Sequence, residues 1–162
     1  MASRLKRPRP QPVVGWREWV ELPGLGDFRI KSKVDTGARS SSLHAYDLEI
    51  VERDGVELVR FVVHPLQKDV RTTVECEAPL LERRWVRSSN GVRQRRPVIR
   101  TELRLAGQTW PIDLTLTARD VMGFRMLLGR EAIRRRFVVD PGRSYLLSER
   151  PTRRRRRDPA PS

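Results

Sequence analysis

Lys33-Val34-Asp35-Thr36-Gly37-Ala38-Arg39-Ser40-Ser41-Ser42-Leu43-His44-Ala45 is the stretch that sets the reading of the rest of the chain. Just upstream, Phe28, Ile30 and Val34 fall on one parity and Arg29, Lys31 and Lys33 on the other, the period-two pattern of a strand with one wet face. That strand runs directly into Asp35. Gly37 follows two residues later and lets the backbone reverse sharply, so the carboxylate is expected at a loop tip at the end of a strand. An Asp-Thr-Gly turn alone carries no chemistry, and its context has to decide.

Working outward, apolar runs alternate with turn signals. Val13 to Leu22 is expected as a strand, reversed by Pro23-Gly24-Leu25-Gly26-Asp27. Leu43 to Val51 and Val56 to Val63 flank Asp54-Gly55, a strong hairpin signal. Arg83 to Arg87 and Val92 to Arg96 bracket Ser88-Ser89-Asn90-Gly91 in a second hairpin. Strands at Val98 to Leu105 and Thr109 to Thr117 are joined by Ala106-Gly107-Gln108, and Glu131 to Arg136 is the one helix, followed by strand character at Phe137-Val138-Val139. This is an all-β pattern with one short late helix, as in a small barrel or sandwich.

A chain of 162 residues supports one domain. The order expected is a basic disordered tail over 1–12, a folded domain over 13–148 and an Arg-rich disordered tail over 149–162, because both ends combine Pro and Arg with few apolar residues. Of the net charge of +14, these tails carry a large share. They are expected to attract nucleic acid only non-specifically, since no aromatic-rich binding motif accompanies them. No apolar run reaches the roughly 18 residues of a membrane helix, and none resembles a signal peptide, so no membrane association and a cytoplasmic location are expected. The single Cys76 closes no intrachain disulfide.

Val34-Asp35-Thr36-Gly37-Ala38 resembles the active-site signature of retropepsins, the one-lobed aspartic proteases. Met126-Leu127-Leu128-Gly129-Arg130-Glu131-Ala132-Ile133 resembles the family's later segment, which crosses behind the catalytic loop into a single helix, and the Asn90-Gly91 hairpin stands where the flap would. More narrowly, Gly15-Trp16-Arg17-Glu18, Lys33 to Ala45, Ser89-Asn90-Gly91 and Met126 to Arg130 resemble the RimB-type family, whose members are often labelled ATP-dependent zinc proteases or RimK-associated proteins. The resemblance implies a retropepsin-like single-lobe barrel and an aspartic endopeptidase. It also implies an association with RimK-type ATP-grasp ligases that add glutamates to a ribosomal protein. Asp35, Thr36 and Gly37 are then the expected catalytic loop. Ala38 and Arg39, together with Ser89, Asn90, Gly91, Arg93 and Arg95 of the flap, are the expected substrate contacts.

Aspartic catalysis needs two carboxylates sharing a proton, one activating water and the other donating to the scissile carbonyl. This chain holds one Asp-Thr-Gly, so the second Asp35 is expected from a homodimer partner. No cofactor and no metal are expected. His44, His64 and Cys76 are the only soft ligands and lack zinc-site spacing, and no Gly-rich loop followed by Lys-Ser or Lys-Thr is present for ATP. Arg83, Arg84, Arg87, Arg93, Arg95 and Arg96 read equally as a cationic groove rim suited to acidic or glutamylated substrates and as a solubilising hairpin. Two alternatives to the enzyme stay open. One is a non-catalytic regulatory module of a glutamate ligase, and the other a ribosome-associated RNA-binding protein.

Overall fold

A computed structural model describes residues 9–66, 71–87, 90–118 and 123–149. The expectations for the rest of both tails and for Ser89 lie outside the described residues. The elements in order are β1 (Val13–Gly15), β2 (Arg17–Glu21), β3 (Arg29–Asp35), β4 (Ser41–His44), β5 (Tyr46–Arg53), β6 (Val56–Val63), β7 (Val74–Arg87), β8 (Arg93–Leu105), β9 (Gln108–Thr117), β10 (Met126–Gly129), α1 (Arg130–Ile133) and β11 (Val138–Asp140). The fold is all-β with one short helix, as the sequence pattern predicts.

Strands pair in the order β2-β3-β10-β4-β9-β8-β7-β6-β5, and Glu21 opposite Arg104 joins β2 back to β8. That contact closes a barrel of β2, β3, β10, β4, β9 and β8, with β7, β6 and β5 extending beyond it. The barrel fills with Leu22, Ile30, Leu43, Ile99, Leu103, Leu114, Leu116, Met126 and Leu128, all fully buried. Each such Leu or Ile contributes on the order of 2 kcal/mol of apolar burial. β10 is paired on both sides, parallel to β3 and antiparallel to β4, and all four of its residues are buried; with both of its faces covered, Met126-Leu127-Leu128 reads as a continuous apolar run rather than an alternating one.

The two short turns are built as their residues dictate. Asp54 and Gly55 take φ of 53° and 79°, and Ala106 and Gly107 take 52° and 73°, the left-handed pair that matches hairpin twist. Three strand prolines sit where one side of the strand is unpaired. At Pro79, β7 is leaving β6 for β8; at Pro97, β8 has not yet met β9; at Pro111, β9 has not yet met β4.

Several boundaries differ from the sequence reading. Val13 to Leu22 breaks at Trp16, because β1 pairs with β11 while β2 pairs with β3. Leu43 to Val51 breaks at Ala45, beyond which Asp47 adopts φ 52°. The strands at 92–96 and 98–105 are one continuous β8. The helix stops at Ile133 rather than Arg136, since Arg135 turns left-handed (φ 65°) and delivers buried Phe137 to the core.

Glu18 fixes the chain's last described segment. It is fully buried, and its Oε1 accepts the backbone N–H groups of Gly15 (3.0 Å), Leu146 (2.8 Å) and Leu147 (3.1 Å), while its Oε2 accepts the Ser148 hydroxyl. A buried carboxylate without such donors would be very costly. Here it clamps residues 146–148 onto β2, the neighbour of the strand that ends in Asp35.

Candidate active site

Asp35 ends β3 half-buried, and Thr36 and Gly37 beside it are exposed. The Gly37 N–H donates to Asp35 Oδ1 at 2.9 Å and the Ala38 N–H to the Asp35 carbonyl at 3.2 Å, which curls the loop around its own carboxylate. Gly37 does not use left-handed backbone, contrary to the reason for which a glycine is expected there. Its value is space, because a Cβ would stand 3.2 Å from Asp35 Oδ1.

The Met126 to Ile133 block holds the loop from behind. Arg130 N–H donates to Ala38 O (2.8 Å), Glu131 N–H to Arg39 O (3.2 Å), and the Arg130 guanidinium to Gly37 O (3.3 Å). The Ser41 hydroxyl accepts from Gly129 N–H at 3.0 Å. Consecutive carbonyls of the Asp35 loop are thus taken up by the start of α1, with Gly129 paired opposite Asp35 itself. The approach is too close for a side chain at 129, where a Cβ would meet Ser40 O at 2.5 Å.

Arg39 pairs with Glu131 at 2.8 Å. The hydrogen bond and charge of Arg39 hold the Glu131 carboxyl below its usual range, and Glu131 in turn raises the Arg39 guanidinium. Arg84, on β7, donates to the Ser40 hydroxyl at 3.2 Å and so ties the β7–β8 hairpin to the loop. Beside the loop lies a cleft of about 500 Å³ whose lining includes Ser40, Arg84, Arg100, Asp113, Glu131 and Arg134. Three arginines of this region already hold carboxylates, Arg39 that of Glu131, Arg84 that of Glu82 and Arg100 that of Asp113, and Arg134 adds a further cation to the lining. A second cleft of about 590 Å³, between β2, the β8–β9 turn and residues 145–149, contains no residue of the Asp35 loop.

The structure brings Asp35, Thr36, Gly37, Ala38 and Arg39 together on one loop, and places Asn90 and Gly91 (φ 82°) at the hairpin end. Arg93 and Arg95 belong to the hairpin face opposite Arg84, because strand side chains alternate and Arg84 is the one that reaches Ser40. Arg84, Arg100, Arg130 and Arg134 are the functional candidates the sequence did not single out for contact; Arg84 carried a signal through the Arg-rich hairpin and Arg130 through the Met126 to Ile133 block. Cys76 is buried in the core, its thiol pushed up to about 11 by burial, which leaves it unreactive. His44 and His64 both pack on Tyr46, His44 tilted with ring centroids 4.4 Å apart and His64 edge to face at 4.3 Å, and Arg125 donates to the Tyr46 hydroxyl. Among the described residues no three His, Cys, Asp or Glu side chains converge where they could hold a metal, and no helix is long and apolar enough to cross a membrane.

Residues 13–150 match the RimB-like family, described as "Retropepsin-like aspartic endopeptidase RimB". The chain belongs to this RimB-like, retropepsin-like family. Its relatives include proteins named "Probable alpha-L-glutamate ligase" from Parasynechococcus marenigrum (50% identical over 137 residues) and Desulfotalea psychrophila (47% over 137 residues). In each case 85% of this chain is matched, but it spans only 29% and 30% of those proteins' length. A solved structure of a Legionella pneumophila protein of unknown function superposes with a TM-score of 0.67 at 27% identity, covering 85% of this chain and 98% of that one. The superposition shows that the Legionella protein shares the fold described above.

Proposed function

We propose that this protein is an aspartic endopeptidase whose catalytic pair comes from Asp35 of two copies, and that it cleaves acidic or glutamylated protein segments. The observation that carries the reading is a lone half-buried carboxylate on a loop tied down from behind, with Thr36 and Gly37 exposed at its tip. A rigid loop offering one carboxylate and an open face suits pairing about a twofold axis, where like charges side by side share one proton. One Asp35 then activates water and the protonated partner donates to the scissile carbonyl. Thr36 braces the two loops against each other, and Gly37 leaves the substrate room.

An exposed apolar ribbon near the loop supports the reading of a second copy. β1 and β11 form a two-stranded sheet of their own with Val13 and Val138 side by side, 41% and 53% exposed. Trp16, directly after β1, accepts from Val34 N–H at 2.8 Å, so this ribbon adjoins the catalytic strand.

The arginines lining the cleft support acidic substrates, because guanidinium forks take carboxylates in bidentate geometry; Arg84 and Arg100 would exchange their partners Glu82 and Asp113 for substrate carboxylates, and Arg134 adds a further cation. The relatives named as glutamate ligases support the same substrate class and an association with a RimK-type ligase. The test compares hydrolysis of poly-glutamate with that of a neutral peptide of equal length: faster cleavage of poly-glutamate, abolished by Asp35→Asn, is expected, and equal rates reject the acid preference. Those relatives also favour a second reading, a non-catalytic module regulating a glutamate ligase. Under it, Asp35→Asn leaves ligase regulation intact.

A further inference from the structure

The outward face of the β7–β8 hairpin takes no part in the site above. Cross-strand register sets Trp85 opposite Arg95 and Arg87 opposite Arg93, so these four side chains share one face with Arg83. Trp85 is 57% exposed despite its size, and the guanidiniums of Arg93 and Arg95 lie over its ring at 5.3 and 5.7 Å. Arg83 has Glu57 at 3.6 Å, whereas Arg87, Arg93 and Arg95 form no ion pair with any carboxylate among the described residues.

Within the chain this arrangement is unfavourable. Like charges directly opposite each other weaken a ladder, and a large exposed ring gains little from folding. It is suited to an anionic partner. A guanidinium attracted to an indole face can still offer N–H groups to a carboxylate. Arginines two apart on a strand stand about 6.6 Å apart, the spacing of alternate side chains in an extended polypeptide. The described hairpin face offers one aromatic ring, whereas single-stranded nucleic acid is typically held by several rings on which successive bases stack, so an acidic polypeptide is the better fit.

We infer that Arg93 and Arg95, held over Trp85, and Arg87 beside them on the same face form an exosite that holds an extended acidic polypeptide outside the cleavage groove. The inference rests on the acidic-substrate part of the function proposed above and not on cleavage. The test therefore uses the full chain carrying Asp35→Asn, with fluorescein-labelled deca-glutamate as the probe and fluorescence anisotropy at low salt as the readout. Adding Arg87→Gln, Arg93→Gln and Arg95→Gln is expected to weaken binding about tenfold, as three exposed charge pairs of modest strength would. The corresponding triple lysine variant, which keeps the charge but not the fork, is expected to fall in between, with the thermal midpoint of both variants unchanged. Binding by the glutamine variant within twofold of its parent overturns the exosite. So does tighter binding of an oligouridylate of equal charge. A positive result stands even if the wild-type chain cleaves nothing, and a negative one leaves cleavage of neutral peptide by the wild-type chain untouched.

Discussion

Alanine at position 129 would place a Cβ 2.5 Å from Ser40 O, 2.6 Å from Ser40 C and 2.8 Å from Arg39 O. All three are backbone atoms of the loop that follows Asp35, so no rotamer change relieves the clash. β10 cannot retreat either, being paired with β3 on one side and β4 on the other. The loop must withdraw by at least about 0.5 Å to restore tolerable contact, since overpacking is relieved only by backbone shifts. That movement stretches the Arg130-to-Ala38 and Glu131-to-Arg39 hydrogen bonds and carries the Asp35 carboxylate with it. Overpacking of this kind costs about 1–3 kcal/mol, which lowers Tm by roughly 3–10 °C in a chain of this size. Displacement of a catalytic group by a fraction of an ångström is expected to lower kcat/KM on a glutamate-rich peptide about tenfold or more. Differential scanning fluorimetry and steady-state hydrolysis read the two effects. Gly37→Ala is the control for stability, because its Cβ meets only a side-chain oxygen at 3.2 Å and should move Tm little. A Gly129→Ala protein with wild-type Tm and wild-type turnover would refute the claim that this turn braces the loop.

Glu18→Ala leaves the N–H groups of Gly15, Leu146 and Leu147 without their acceptor and should cost about 3 kcal/mol or more; limited proteolysis should then cut within 143–149 faster than in the parent, and equal resistance would contradict the clamp. Cys76 should resist iodoacetamide at pH 8 in the folded protein and react promptly once unfolded, because its thiol is raised from 9.0 to about 11. The sign for stability follows: the unfolded thiol ionises first, so the Cys76 contribution is present below about pH 9 and lost as pH rises towards 11, measurable as a falling Tm over that range relative to Cys76→Ala. Arg84→Ala, which removes the tie to Ser40 and one guanidinium of the cleft, should raise KM for glutamate-rich peptides severalfold; an unchanged KM would remove Arg84 from substrate binding.

The parts of the fold legible in the sequence were those set by neighbours along the chain. The Ile30 to Val34 alternation gave β3 and Asp54-Gly55 gave the β5–β6 turn, whereas the approach of the Gly129 block to the Asp35 loop was legible only through the family resemblance. The first half of β7 was missed because its inward positions are small, Cys76 and Ala78, and Pro79 argues against a strand. The proline is tolerated only because β7 changes partner there, which is a tertiary fact. Glu18 was quoted within a motif, but its role was invisible, since most of its partners lie near residue 147. The cleft of Arg84, Arg100 and Arg134 is assembled from β7, β8 and the end of α1, so no spacing announces it. The Arg-rich hairpin looked like one cationic rim, and the strand alternation divides it between two faces.

The most direct test of the shared-dyad mechanism is subunit mixing. Wild-type chain is equilibrated with a ninefold excess of Asp35→Asn chain under exchanging conditions, and hydrolysis per wild-type chain is measured. If the catalytic pair needs an aspartate from each copy, activity per wild-type chain falls to about one tenth, the share of wild-type chains still paired with each other. Activity per wild-type chain that stays unchanged at every mixing ratio would contradict it.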